Sequence, residues 1–307
     1  SLTVPAHTLY DIIRKLPEGS EVSLEADGEN NRVLVFAGRS KFTLPLLPAD
    51  EFPVMSDEEL PCRFSLGIDD SKALIDKTRF AISNEETRYY LNGIFFHASK
   101  TSDVPMLRAV ATDGHRLARV EIPLPEGAME MPNIIVPRKA ITEVRKLIDD
   151  WDGDINVSLS QTKICFSIGD IILSTKLIDG TFPDYERVIP SGNDKNMCIN
   201  CNDLSEAVDR VSTISTEKSR AIKLHLSSSN LVLSANSPES GTAIEELEVN
   251  YNGEMIEIGF NSRYLLDIAN QIEGENVEFS MADPGSPTIL RDQEDTSALY
   301  VLMPMRV

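Results

Sequence analysis

The sequence predicts an α+β fold assembled from repeated half-units, each made of one helix and several short strands. Two patterns in the 307 residues carry this prediction. Apolar residues at i, i+3, i+4 and i+7 form one face of an amphipathic helix at several places along the chain. Short alternating segments, typical of strands, follow these helices in the same order. Such repetition indicates one supersecondary unit used several times.

One kind of half-unit, the B half-unit, occurs three times. Its copies begin at Val4, Val136 and Phe260. Each copy opens with a predicted amphipathic helix and continues with strands. The apolar faces of the three helices are formed by Leu9, Ile12, Ile13 and Leu16, by Ile141, Val144 and Ile148, and by Leu265, Ile268, Ala269 and Ile272.

A second kind, the A half-unit, lies between these copies at residues 64–122 and 197–251. In the first copy we predict a strand at 63–66, a helix near 69–80 and further strands near 89–97 and 107–110. In the second copy the predicted helix is followed by strands at 222–226 and 230–234. The apolar side of that helix consists of Leu204, Ala207, Val208 and Val211.

The order B, A-B, A-B predicts two whole domains, 58–192 and 193–307, and half of another domain at 1–57. Polar, turn-rich linkers are predicted at 56–61 and 191–196. An A half-unit is then expected before residue 1, so that the first domain lacks its N-terminal half. Chance similarity among amphipathic α+β units is the alternative.

The charge balance restricts how the chain could bind nucleic acid. A formal net charge of −20 argues against it, because DNA affinity comes largely from cations that displace counterions. Basic residues do occupy the polar side of the B helices, at His7, Arg14, Lys139, Lys146 and Arg263, with Arg138 and Arg145 on the flanks. Acidic residues share that side, so an ordinary solvated surface is the alternative. If repeated domains closed into a ring, these weak basic stripes would add up around a channel.

Several classes of function lack their sequence signatures. No apolar run is long enough to cross a membrane, and no phosphate-binding glycine motif or zinc-ligand set is present, so we expect no cofactor and no metal. The four cysteines suit a reducing cytoplasm. Cys198-Ile-Asn-Cys201 is placed within a predicted strand rather than at a strand-to-helix turn, which favours structural thiols over a redox pair.

Ala111-Thr-Asp-Gly-His-Arg-Leu117 is the one segment with residues suited to catalysis. Thr112, Asp113, His115 and Arg116 are candidates for a general acid–base cluster. Asp113 and Gly114 also form a strong turn signal between two strands, which favours a binding loop. The spacing alone leaves both interpretations open.

Five segments, taken together, resemble the bacterial DNA sliding clamps, the DNA polymerase III beta subunits. They are Arg88-Tyr-Tyr-Leu-Asn-Gly93, the segment 111–117 above, Val136-Pro-Arg-Lys139, residues 176–188 (KLIDGTFPDYERV) and the C-terminal YVLMPMRV of residues 300–307. The resemblance covers essentially the whole chain and also implies that about half of the family's first domain is absent.

The resemblance implies a ring of two crescent-shaped subunits with helices lining a channel and antiparallel sheets outside. Such a ring encloses double-stranded DNA and tethers the polymerase without catalysis or a cofactor. The implied partners are DNA, the DNA polymerase III alpha subunit, the clamp loader, other proteins with a clamp-binding motif and a second copy of the chain, all in the cytoplasm. A repeat scaffold unrelated to DNA, and an enzyme using Asp113, His115 and Arg116, are the alternative functions.

The resemblance also implies three sets of site residues. A hydrophobic cleft for a motif of the Gln-Leu-x-Leu-Phe type would use Leu91, Thr112, Gly114, His115, Arg116, Leu117, Pro183, Arg187, Val188, Asn261, Tyr264, Val301, Leu302, Met303, Pro304, Met305 and Arg306. DNA contacts are expected at Arg88, Tyr89, Arg138, Lys139, Arg14 and Lys146, with the acidic Glu85 as a departure from the expected loop. A dimer contact would join Phe42 and Leu44 to Thr213 and Ile214, and ring closure is expected to be weak without the missing half-domain.

Overall fold

The structure, a computed structural model, describes residues 2–28, 30–46, 49, 59–99, 104–215 and 220–306. The chain forms two compact units, Ser1–Glu58 and Glu59–Val307. None of the helices within the described ranges has the length and apolarity needed to cross a membrane.

The first unit contains one helix and one antiparallel sheet. Helix α1 (Ala6–Ile13) is followed by β1 (Val22–Asp27), β2 (Arg32–Ala37) and β3 (Ser40–Pro45), which pair in chain order. Its small core is centred on Val33 and Val35 of β2, against which Leu9 and Ile12 of the helix pack. The helix and strands predicted for the first B half-unit are therefore present.

The second unit begins with one A half-unit and one B half-unit. The A half-unit has β4 (Cys62–Leu66), α2 (Ile68–Arg79), β5 (Gly93–Ser99), β6 (Met106–Thr112) and β7 (Arg116–Pro123). The B half-unit has β8 (Ile134–Pro137), α3 (Arg138–Leu147), β9 (Ile155–Leu159), β10 (Lys163–Ile168) and β11 (Ile171–Lys176). Strand β4 pairs with β9, and β5 pairs with β8.

The same plan is repeated in the rest of the unit. Its elements are β12 (Lys195–Asn200), α4 (Cys201–Ser212), β13 (Ala221–Ser227), β14 (Asn230–Ser237), β15 (Gly241–Glu248), β16 (Ile256–Asn261), α5 (Ser262–Ala269), β17 (Asn276–Met281), β18 (Thr288–Asp292) and β19 (Ala298–Leu302). Strand β12 pairs with β17 and β13 with β16, as their counterparts do. The predicted repetition of half-units is therefore confirmed within this unit.

One sheet of eight strands joins the two copies, in the order β12-β17-β18-β19-β7-β6-β5-β8. The join is the antiparallel pairing of β19 with β7, in which Val301 lies opposite Leu117. Because side chains alternate along a strand, Leu117 and Val301 point to one face and Ala118 and Tyr300 to the other. We call these the Leu117 face and the helix face, since α2 packs on the second.

Two local predictions differ from the structure. The strand expected near 89–97 starts only at Gly93, because residues Glu86–Leu91 form a 3-10 turn in which the Leu91 carbonyl accepts from the Ser83 N–H. The placement of both Cys198 and Cys201 in a strand was wrong. Helix α4 begins at Cys201, because the side chain of Asn200 caps it by accepting from two backbone N–H groups.

The position of this cysteine pair at a strand-to-helix turn does not make it a reactive site. Both thiols are free, and burial raises the pKa of Cys198 and of Cys201. A raised pKa lowers the thiolate fraction, and the thiolate is the nucleophile. The interpretation of these residues as structural thiols is therefore supported.

Candidate docking and nucleic-acid surfaces

The segment 111–117 forms the hairpin turn between β6 and β7. Asp113 Oδ1 accepts from the backbone N–H groups of His115 (2.9 Å) and Arg116 (3.0 Å), and Gly114 has a φ of +88°. The Thr112 hydroxyl donates to the Arg116 carbonyl at 2.7 Å. The turn predicted from Asp113 and Gly114 is confirmed, and its polar side chains are used to build it.

Arg116 is almost completely buried on the helix face, with 8% of its surface exposed. Its guanidinium donates to Asp113, to Asp267 of α5 at 2.5 Å and to the Phe80 carbonyl at 2.6 Å. It also lies over the rings of Phe80 and Tyr264, 5.0 Å and 4.4 Å from their centroids. Arg116 thus links the two copies of the repeat through charge-assisted hydrogen bonds and cation–π contacts.

A second ionic link between the copies was not foreseen from the sequence. Lys77 of α2 lies 2.8 Å from Asp295 and 3.6 Å from Glu273. Burial alone raises the pKa of Asp295, but hydrogen bonds from Lys77 and Ser297 outweigh it and hold that pKa at about 2. A pairing across 218 residues leaves no periodic signal in a single sequence.

The Leu117 face carries a separate apolar cluster beside the junction. Leu91, Leu117 and Val301 are buried in it together with Phe182 and Tyr185. Exposed apolar side chains adjoin this cluster in sequence. Val188, in the 3-10 turn Tyr185–Val188, is 48% exposed and Met303, just after β19, is 39% exposed. Partly exposed apolar side chains around a buried apolar base are suited to receiving another apolar chain.

The C-terminal segment is held against the hairpin by backbone hydrogen bonds. The Met303 N–H donates to the His115 carbonyl, and the Met305 N–H donates to the Gly259 carbonyl, both at 2.9 Å. Pro304 lies between these two anchors and Arg306 is exposed after them. The segment therefore extends the junction from β19 towards β16.

Because side chains alternate along a strand, the seventeen residues expected to form one cleft lie on different sides of the sheet. Leu91, Leu117 and Val301 lie on the Leu117 face, and the exposed Pro183, Arg187 and Val188 belong to the segment that packs on it. Thr112 lies on the Leu117 face as well, because it is opposite Leu117 in the register. The turn residues Gly114 and His115 and the tail residues Met303, Pro304, Met305 and Arg306 lie at the edge. Arg116, Leu302, Asn261 and Tyr264 lie on the helix face instead, where Leu302 is fully buried.

A polar groove of about 660 Å³ occupies the helix face at the junction. It is bordered by His115, Arg116 and Tyr264 and by three further arginines, Arg138, Arg220 and Arg263. Arg138 donates to the Ile82 carbonyl at 2.5 Å, and burial followed by the charge of Arg116 lowers the pKa of Arg138. The groove also contains Glu85, Asp113 and Asp267, so its positive charge is moderate.

The basic residues expected to contact DNA on the helices differ in whether their side chains form ion pairs. Lys139 is exposed at the start of α3. Arg14, at the C-terminal end of α1, is paired with Asp11 at 2.8 Å, and Lys146 is paired with Glu143 of the same helix at 2.9 Å. Exposed pairs of this kind are weak, so a phosphate could displace the carboxylate.

Arg88 and Tyr89 belong to the 3-10 turn Glu86–Leu91, from which Arg88 reaches the hairpin turn. The Arg88 guanidinium bonds to Glu85 at 2.6 Å and to the Asp113 carbonyl at 3.1 Å. The hydrogen bond between Arg88 and Glu85 is the main cause of the lowered pKa of Glu85. Tyr89 is 53% exposed. The acidic residue in this loop is therefore neutralised by the neighbouring arginine.

The four residues expected at a dimer contact lie in two different units. In the first unit Leu44 is buried in its own core and Phe42 is partly buried beside it, both on the edge strand β3. In the second unit Thr213 caps the end of α4 and Ile214 packs against the core. Their role in a dimer stays a prediction.

The chain matches three family models in sequence order. They describe the N-terminal, central and C-terminal domains of the DNA polymerase III beta subunit and match residues 1–56, 66–184 and 186–306. The beta sliding clamp of Caulobacter vibrioides is 51% identical, covering 100% of this chain and 82% of that protein. The Escherichia coli K12 beta sliding clamp is 41% identical, covering 99% and 81%.

Two solved structures show the same fold. The Caulobacter crescentus beta sliding clamp superposes with a TM-score of 0.94 at 51% identity, covering 100% of this chain and 81% of that one. The Bartonella birtlesii sliding clamp bound to griselimycin gives 0.92 at 50% identity, covering 100% and 82%. The predicted class of repeated α+β domains with antiparallel sheets is confirmed.

The links made by Arg116 predict a large effect on stability. Arg116→Ala should lower the free energy of unfolding of the chain by about 2–3 kcal/mol, because it leaves Asp267 and the Phe80 carbonyl without their donor. Urea denaturation followed by circular dichroism measures this. Lys146→Ala removes an exposed pair and should change the same quantity by less than about 0.5 kcal/mol. Equal losses in the two variants would contradict the assigned role of Arg116.

Proposed function

Because the chain belongs to the DNA polymerase III beta subunit family and has the function of a bacterial DNA sliding clamp, we propose that partner proteins dock on its Leu117 face beside the C-terminal segment. The main support for this proposal is the buried apolar cluster that contains Leu91, Leu117 and Val301. Two exposed apolar residues follow cluster members in sequence, Val188 three residues after Tyr185 and Met303 two residues after Val301. The partners would be the polymerase alpha subunit, the clamp loader and other proteins with a short Gln-Leu-x-Leu-Phe type motif.

The chemistry of this surface suits a short apolar motif. Burying the large apolar side chains of leucine and phenylalanine contributes a favourable free energy that grows with the apolar area removed from water. A few such anchors dominate the affinity of short motifs. Met303 adapts its shape to different apolar partners because its side chain is unbranched and polarisable. Pro183 and Val188 would contact the motif from the segment that covers the cluster.

The hairpin residues support docking better than catalysis. Asp113 is occupied by two backbone N–H groups and Arg116, while Arg116 is held by Asp267 and the Phe80 carbonyl. His115 is exposed and stacks on Tyr264 with ring centroids 6.1 Å apart. We therefore propose that the chain acts without catalysis of its own.

We further propose that DNA is held through the basic residues of the helices and of the adjacent loop. Lys139 and Arg138 at the start of α3, with Lys146, Arg14, Arg88 and Tyr89, are the candidate contacts. These contacts would be nonspecific, because arginine and lysine would meet phosphates rather than base edges. Double-stranded DNA would be enclosed by a homodimeric ring, and the protein would act in the cytoplasm where the chromosome is replicated.

Docking is tested by fluorescence anisotropy of a labelled Gln-Leu-x-Leu-Phe peptide. We expect saturable binding with a micromolar Kd, corresponding to about −8 kcal/mol. A variant that lacks residues 303–307 should not bind. Met303→Ala should weaken binding by about tenfold, since a partly buried anchor is lost. His115→Ala should change the peptide affinity as well.

Met129→Ala is the matched control, because Met129 is an exposed methionine outside the Leu117 cluster. Its affinity should equal that of the unaltered chain. The docking proposal is wrong if the folded chain does not bind, or if the Met129 and Met303 variants lose affinity equally.

DNA contact is tested by the salt dependence of binding to a labelled duplex. Lys139→Ala should weaken binding equally for different sequences and reduce the slope of log K against log salt by about 1. Lys176→Ala, on the sheet strand β11, should leave the slope unchanged. A Lys139 variant with the slope of the unaltered chain would rule out this contact, and the absence of any salt-dependent binding would favour a scaffold unrelated to DNA.

A further inference from the structure

The segment that would form one side of the docking surface has little regular structure of its own. Residues 178–189 follow β11 and contain only the short 3-10 turn Tyr185–Val188. We call them the wall segment, because Pro183, Arg187 and Val188 belong to it. Two of its side chains, Phe182 and Tyr185, are buried, and the Phe182 ring stacks on Phe95 of β5 with centroids 4.7 Å apart.

A row of polar residues lies beneath the wall segment on the Leu117 face of the sheet. His97 of β5, Arg108 of β6 and Glu121 of β7 are directly opposite one another in the strand register. Arg108 is 7% exposed, and its Nε donates to Glu121 at 2.9 Å. The register therefore places one histidine, one arginine and one carboxylate side by side under Tyr185.

This row is bonded directly to the wall segment. Arg108 Nη1 donates to Glu186 at 2.7 Å and to the Tyr185 hydroxyl at 3.4 Å. His97 Nε2 lies 2.9 Å from the same hydroxyl. Tyr185 is thus fixed by two sheet side chains, three residues before Val188. Buried polar groups that are satisfied in this way hold a segment in one arrangement.

We propose that His97, Arg108 and Tyr185 form a positioning site that sets the affinity of the docking surface without contacting the docked motif. This inference rests on the proposed docking function. The network holds the wall segment in the arrangement that presents Pro183 and Val188, so less ordering is needed when a partner binds. Preorganisation of this kind raises affinity by reducing the entropic cost of association.

The network also makes docking sensitive to acid. The pKa of His97 is lowered, and burial is the largest cause. The positive charges of Arg108 and Arg119 lower it further, while a hydrogen bond with the Ala98 backbone and the charge of Glu186 oppose this change. The charged groups around His97 are therefore Arg108 and Arg119 on one side and Glu121 and Glu186 on the other. A proton on His97 adds a second buried cation beside Arg108. Neutral His97 favours the docked arrangement, so affinity falls as the pH decreases below 6.5.

Tyr185→Phe is the central test, because it removes only the hydroxyl of the network. We expect this variant to bind the labelled Gln-Leu-x-Leu-Phe peptide about three- to tenfold more weakly than the unaltered chain. Tyr251→Phe is the matched control, because it removes the hydroxyl of another buried tyrosine, one that donates to the Glu254 carbonyl away from this surface. Both variants should stay folded by circular dichroism and lose similar stability to urea, whereas only Tyr185→Phe should lose peptide affinity.

A pH series gives a readout that a purely structural role would not change. The peptide Kd of the unaltered chain should rise between pH 7 and 5, and His97→Gln should flatten this dependence. Equal affinities of the two tyrosine variants, or parallel pH profiles with and without His97, would overturn the inference while the docking function stands. No peptide binding by the unaltered, folded chain would overturn the docking function, and the inference with it.

Discussion

The pairing of β7 with β19 is the constraint on which the rest of the second unit depends. Strands from two copies of one repeat become neighbours in a single sheet, with Leu117 opposite Val301 and Ala118 opposite Tyr300. Since side chains alternate, a shift of one residue in this register would exchange the two faces. The same pairing therefore assigns Leu117 and Val301 to the proposed docking face and Tyr300 to the core under the helices. Backbone geometry, rather than any single side chain, brings the two halves of the proposed docking site together.

The two faces of this joint are stabilised by different interactions, which suits their different roles. On the helix face, the buried Arg116 and Lys77 cross between the copies and pair with the partly exposed carboxylates of Asp267 and Asp295. On the Leu117 face, the cluster of Leu91, Leu117 and Val301 beside the joint is apolar, and the polar row of Arg108 and Glu121 lies farther along the same face. Met303 and Val188 remain partly exposed. Ion pairs of Arg116 and Lys77 thus link the two copies on one face of the sheet, and the apolar cluster around Leu117 lies on the other.

Local patterns in the sequence were sufficient for the elements but not for their long-range partners. The apolar spacing of Ile141, Val144 and Ile148 predicted α3, and Asp113-Gly114 predicted the hairpin turn. The resemblance supplied Leu117, Val301 and Met303 as neighbours. It also grouped Arg116 and Leu302 with them, whereas adjacent residues of a strand point to opposite faces, so these two side chains face away. The ion pair of Lys77 with Asp295 and the hydrogen bond of Arg108 with the Tyr185 hydroxyl were missed. Contacts between residues so far apart in sequence leave no periodic pattern in a single sequence. The capping of α4 by Asn200 was also missed, although an asparagine before an apolar run is a recognised helix-start signal.

Amide hydrogen exchange of β7 and β19 tests most directly whether this joint is one cooperative structure. We expect the amides of residues 116–120 and 298–302 to open with the same free energy as those of the neighbouring strands β6 and β18, near the free energy of global unfolding. All of them should then lose protection together as urea is added. Exchange of the β7–β19 amides at a much lower free energy, with β6 and β18 still protected, would mean that the two copies separate independently. That result would contradict the conclusion that the β7–β19 pairing is the constraint on which the second unit and the proposed docking surface depend.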